Sequence, residues 1–145
     1  MVWYILKGYF VIDFGEDMVT SFKKRILVVD DEPDIVEFLT QLLDMNGFDV
    51  IGTLDGADVL DLTIEHSPDL IILDMMLPNK DGWAVQDDLK ANEATAGIPI
   101  IVLTAKDLTI TKMINKEVYG VSEFIAKPFN PNFLLEKIRE ILGIS

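Results

Sequence analysis

The sequence predicts one doubly wound α/β domain, a parallel sheet with helices on both faces, and three observations carry that expectation. From Arg25 onward, short apolar runs alternate with stretches of helical period. Those runs are continuous instead of alternating with polar residues, which is the pattern of strands covered on both sides. The 145 residues suffice for a single core, and half of them are apolar while 26% are charged, as in a folded globular domain.

The elements follow in order. Strands are expected at Ile26–Val29, Val50–Thr53, Leu70–Leu73, Ile100–Leu103 and Phe124–Ala126. A first helix is expected over Asp34–Met45, where Ile35, Phe38, Leu39, Leu42 and Leu43 recur at three- and four-residue steps and Asn46-Gly47 supplies the stop. A second covers Gly56–Glu65 and ends before Ser67-Pro68. A third opens near Asp81-Gly82 with Trp83, Val85 and Leu89, and another lies around Thr109–Val118. The last follows Asn130-Pro131, an N-cap with proline at the first helical position, and ends at Gly143.

Residues 1–24 differ in style. VWYIL and YFVIDF flank Lys7-Gly8, a weak hairpin signal. The stretch is too short and too interrupted for a membrane span, and it lacks the basic start and small-residue end of a signal peptide. Two expectations follow for it: translation from Met18, or a hairpin added to the domain, which itself occupies 25–145.

The net charge of −13 repels nucleic-acid backbones and anionic membranes, so neither is an expected direct partner. Without cysteine there is no disulfide, thiolate metal site or thiol nucleophile, a composition that suits the cytoplasm. The lone His66 reads as a solvated helix-end residue, and Met75 and Met76 read as loop packing.

In an open parallel sheet, ligands bind beyond the carboxyl ends of the strands. There the first strand is followed by Asp30-Asp31, the third by Asp74, the fourth by Thr104 and the last by Lys127. Three carboxylates drawn together repel by about 3 kcal/mol per pair and call for cations; Lys127 offers one charge and a magnesium ion would supply two. A carboxylate nucleophile, a metal, a hydroxyl and an ammonium are the parts of a phosphoryl-transfer site.

Four segments in this order, RILVVDDEPDIVEFL, LIILDMMLPNKDGW, PIIVLTA and FIAKPF, resemble the motifs of the receiver domain of two-component response regulators. The resemblance implies a flavodoxin-like sheet of five strands in the order 2-1-3-4-5. It implies Asp74 as phosphoacceptor, Asp31 as direct magnesium ligand, Asp30 as a ligand acting mainly through water, and the backbone carbonyl of Met76 as a further one. Thr104 would bond the phosphoryl oxygen, Lys127 would pair with it, and Phe124 would hold the switch-aromatic position. The Lys127-Pro128 peptide is usually cis in that family.

The implied protein is a signalling switch, not an enzyme acting on other substrates. A histidine kinase or histidine phosphotransfer protein would be the donor. A downstream protein would read residues 108–142, and the chain would be a monomer or a weak phosphorylation-dependent dimer. Lys106 and Met76 would shield the acyl phosphate. The pattern is departed from between Thr104 and Lys127, which lie one residue further apart than usual, and at Gly120-Val121-Ser122-Glu123, which replaces a small acidic turn. Other readings are an unphosphorylated receiver-like interaction module, a fragment of a larger regulator, a magnesium phosphatase and a nucleotide binder. The phosphatase would want a second acid where Met76 stands, and no glycine-rich phosphate loop follows the first strand.

Overall fold

A computed structural model describes residues 2–6, 9–13, 18–105 and 120–144, with side chains from residue 23 onward. The helix expected over Thr109–Val118, and Lys106 before it, lie outside the described residues.

The described residues form two sheets. Strands β1 (Val2–Leu6), β2 (Tyr9–Asp13) and β3 (Met18–Phe22) form an antiparallel sheet in that order, with Leu6 opposite Tyr9 and Asp13 opposite Met18. The second sheet contains β4 (Arg25–Val29), β5 (Asp49–Thr53), β6 (Leu70–Asp74), β7 (Ile100–Ala105) and β8 (Glu123–Lys127). All its strands are parallel and run in the order β5-β4-β6-β7-β8, which is 2-1-3-4-5 counted within the sheet, as expected.

Helix α1 (Pro33–Met45) follows β4, a 3-10 turn (Gly56–Asp58) leads into α2 (Val59–His66), α3 (Gly82–Ala91) follows β6, and α4 (Pro131–Leu142) closes the domain. The caps follow local chemistry. Asp81 accepts the Ala84 amide at 3.0 Å, and Asn130 accepts those of Asn132 and Phe133 at 2.9 and 3.3 Å. Helix α2 stops on Ser67 and α4 on Gly143, both left-handed.

The two-sided burial of the strands explains their unbroken apolar character. Ile26 and Val28 of β4 pack into one cluster with Leu39 and Leu43 of α1 and Leu134 and Ile138 of α4. Their neighbours Leu27 and Val29 face the other way, into a cluster with Val59 of α2 and Val85 and Leu89 of α3.

Two expectations need correction. The strands read as buried at Val50–Thr53 and Phe124–Ala126 are the two edges of the sheet, each with a neighbour on one side only; the first is only partly buried, and the second buries Phe124 and Ile125 but exposes Ala126. Phe38, placed by periodicity on the core face of α1, is 45% exposed and meets Phe129 instead, at 6.3 Å between ring centroids. Position 38 sits at the margin of the stripe centred on Leu39 and Leu43.

Gln86 of α3 is fully buried where the pattern calls for an apolar residue. Its amide nitrogen lies 3.3 Å from the Met75 sulfur, and its Oε1 has no hydrogen-bond partner. An unpaired buried amide oxygen costs about 1–3 kcal/mol. Gln86→Met keeps the shape and removes that penalty; it is expected to raise stability by about 1 kcal/mol, and thermal unfolding of the two chains checks this.

Candidate functional site

The parallel register brings the polar strand ends together. Leu27 to Val29 of β4 pair in step with Ile71 to Leu73 of β6, so Asp30 and Asp74 leave the sheet at the same level. Asp74 itself pairs with Leu103 of β7, one residue before Thr104, and Thr104 pairs with Ala126, one before Lys127. The five residues singled out by the motifs therefore share one rim. One carboxylate oxygen from each of Asp30, Asp31 and Asp74 lies within 4.8 Å of the others.

Lys127 reaches into this group from β8. Its Nζ donates to Asp30 Oδ2 at 2.7 Å and to Asp74 Oδ2 at 3.4 Å, and stands 3.7 Å from Glu32 Oε2. Glu32 was not anticipated as a participant; its only sequence signal is that it directly follows the acidic pair. The Lys127-Pro128 peptide is cis.

Asp30 also does the structural work of a turn, its Oδ1 accepting the Glu32 amide at 3.0 Å ahead of α1. The amide of Met76 donates to Asp74 Oδ1 at 3.1 Å. Met75 is buried, as expected of loop packing, whereas the Met76 side chain is 65% exposed and packs little. His66 ends α2 half-exposed, 3.8 Å from Glu65. Phe124 is buried in the α2–α3 cluster. Beside Asp31 a cleft of about 380 Å³ opens between Met76, Pro78, Asp81 and Trp83.

Asp30 and Asp74 are almost wholly buried, while Asp31 is exposed. Burial pushes the Asp74 carboxyl above the ordinary carboxylate range; the Met76 amide draws it down, Asp30 adds to the rise and Lys127 opposes it. Burial alone would lower the Lys127 ammonium, but the hydrogen bond and charge of Asp30, with the charges of Asp74 and Glu32, outweigh it and raise the group. Among the described residues one ammonium faces three carboxylates, with that of Asp31 beside them. The donor set therefore suits a hard divalent cation, which prefers oxygen ligands.

Thr104 Oγ1 is buried and has no partner, the second such atom among the described residues beside Gln86 Oε1. A hydroxyl held at the rim with its bond unmade fits an incoming oxygen-rich group. The donor set and this hydroxyl together fit a magnesium-supported phosphoryl group.

The family model for the response regulator receiver domain matches residues 26–139. The chain belongs to that family. The receiver is 40% identical over 119 residues to the DNA-binding response regulator MtrA of Mycolicibacterium smegmatis, covering 82% of this chain and 50% of that protein. It is 41% identical over 118 residues to the transcriptional regulatory protein CpxR of Escherichia coli K12, covering 81% and 49%. The chain thus spans about half the length of these relatives.

Among solved structures, a putative response regulator from Chloroflexus aurantiacus superposes with a TM-score of 0.77 at 30% identity, over 83% of this receiver and 98% of that chain. The chemotaxis response regulator CheY4 of Vibrio cholerae does so with a TM-score of 0.75 at 26% identity, over 82% and 98%. The five-stranded sheet is the one these receivers share. Among the described residues no helix is long and apolar enough to cross a membrane.

The raised Asp74 carboxyl sets a sign for stability. The group's contribution is fully present below its ordinary value of 3.8 and is lost as pH rises through its higher value in the folded chain. In metal-free buffer at neutral pH, Asp74→Asn should therefore melt a few degrees above the parent. The gap should narrow as pH falls toward 3.8, which melting curves across that range measure.

Proposed function

We propose that this receiver takes a phosphoryl group from the phosphohistidine of a histidine kinase or phosphotransfer protein onto Asp74, and releases it to water in the same pocket. The observation that carries the reading is the convergence of Asp30, Asp31 and Asp74 within 4.8 Å around Lys127, next to the unpartnered Thr104 hydroxyl. Asp30, Asp31 and Asp74, with the Met76 carbonyl, would hold Mg2+. Bound there, the ion would screen the negative charge of the incoming phosphoryl oxygens.

The chain's own groups do the rest. Asp74 Oδ attacks phosphorus in line as the P–N bond of the donor breaks, and the departing imidazole carries the electron pair away. The Met76 amide, bonded to the other Asp74 oxygen, orients the carboxylate for that attack. Lys127 would exchange part of its contact with Asp30 and Asp74 for a phosphoryl oxygen. Thr104 would close on another, a charge-assisted bond worth about 1.5–3 kcal/mol.

A full population switch takes about 5.5 kcal/mol, more than Thr104 alone supplies. Lys127, the metal and repacking of the buried Phe124 would contribute the difference, carrying the change to residues 108–142. We assign that face to a downstream protein partner. With its charge of −13 the chain itself is not proposed to touch nucleic acid or membrane, and we place it in the cytoplasm as a monomer or weak phosphorylation-dependent dimer. Activity on any substrate other than its own phosphoryl group is not part of this reading. The unphosphorylated interaction module is the weaker reading, because it leaves the Thr104 hydroxyl unexplained.

Incubation with Mg2+ and acetyl phosphate or a cognate kinase, followed by intact-mass measurement, tests the proposal. Wild type should gain one acid-labile phosphoryl group, and Asp74→Asn should gain none while keeping its fold by circular dichroism. Label retained on that variant refutes the assignment. Thr104→Ala should still be labelled at Asp74 but lose most of the phosphorylation-dependent change, read as a shift in Phe124 side-chain resonances.

A further inference from the structure

The segment 53–56, between β5 and the 3-10 turn, touches both rims of the site. On one side the Thr53 carbonyl accepts the Asp30 amide at 3.2 Å, extending the ladder by one bond at the acidic pair. On the other it meets the loop that carries Met76. Asp55 Oδ2 accepts the Asn79 side-chain amide at 2.9 Å, while Asp55 Oδ1 is held by the Ala57 amide at the start of the 3-10 turn.

The closer contact is at Gly56, which is buried. A Cβ built on it would lie under 3.0 Å from the Lys80 carbonyl oxygen, and 3.1 Å from both Leu77 Cδ1 and Val85 Cγ2. The obstruction at Lys80 is backbone and cannot swing aside as a side chain could. Lys80 is further fixed by its ion pair with Asp88 of α3.

We propose that Gly56, together with the Asp55–Asn79 hydrogen bond, is a positioning element for the cation: it sets the separation between the rim bearing Asp30 and Asp31 and the loop bearing Met76. The inference rests on the site reading above and adds a residue group that touches neither the cation nor the phosphoryl group. Supporting groups of this kind typically change metal affinity by about 10–100-fold when disturbed. Because Gly56 works through backbone clearance, even the smallest side chain moves one rim relative to the other.

The test is a Mg2+ titration of the full chain followed by tryptophan fluorescence, since Trp83 lines the cleft beside Asp31. It is run alongside metal-free thermal unfolding and the labelling rate at saturating Mg2+. Gly56→Ala should raise the half-saturating Mg2+ concentration by about tenfold, while the labelling rate at saturation recovers to near wild type. Asn79→Ala removes only the tether and should raise half-saturation by about threefold, with the metal-free midpoint unchanged.

Gly97→Ala is the control. A Cβ there meets nothing within 4 Å, and neither reading should move. A folded Gly56→Ala chain with a lowered metal-free midpoint but wild-type half-saturation would show a purely structural glycine and overturn the proposal. If Gly56→Ala does not fold, Asn79→Ala decides by the same comparison. A wild type that ignores Mg2+ sinks the site reading and this inference with it, whereas a responsive wild type with both variants unchanged sinks the inference alone.

Discussion

The arrangement depends on one buried electrostatic contact, the Lys127 ammonium lodged between Asp30 and Asp74. Both carboxylates are almost wholly buried, and a single carboxylate left uncompensated there would cost several kcal/mol. Each therefore needs Lys127, and Lys127 needs them, since burial alone would lower its hold on the proton. The contact joins residues 97 and 53 positions apart, from β8 to the ends of β4 and β6. It can form only once all the intervening strands are in register. The cluster is thus both a consequence of the sheet and a test of its correct assembly.

Among the described residues a net negative charge survives the pairing, and that surplus separates this cluster from a structural ion pair. A structural pair tends toward balance, with each charge matched. Here the ammonium is outnumbered, Asp31 stays open to solvent, and a buried hydroxyl is left unbonded beside them. Balance is completed by something brought from outside. On the function proposed above, a divalent cation would supply that balance, and its binding would stabilise the chain and organise the pocket in the same step.

Much of this was legible in the sequence because strand and site obey one rule. Five continuous apolar runs announced strands with two covered faces, and the residue after each run had to lie on the carboxyl rim. Asp30, Asp31, Asp74, Thr104 and Lys127 could be found that way before any coordinates. The edge character of β5 could not, since exposure there depends on which strands lie beside it and not on its own residues. Glu32 was missed and Phe38 misplaced for a related reason. Whether a residue at a helix start or at the margin of a stripe turns inward depends on partners far along the chain, Lys127 in one case and Phe129 in the other. Gln86 breaks the apolar pattern of α3 with no local signal at all.

Glycines show the other limit of pattern reading. Gly47 and Gly143 have positive φ and follow helices, so their role is local and foreseeable. Gly82 has no such conformation; a Cβ on it would lie 2.7 Å from the Met75 Cα and 3.0 Å from the Asp74 carbonyl oxygen. Gly56 meets the same loop further along, at Lys80. The segment running from Asp74 to Gly82 is therefore clasped by backbone at both ends, with no room for a methyl group at either. Side-chain contacts tolerate small shifts by changing rotamer, whereas backbone pressed on backbone does not. The role proposed for this loop, presenting a carboxylate and a carbonyl to a small ion, demands that intolerance, and glycine is the residue that permits it.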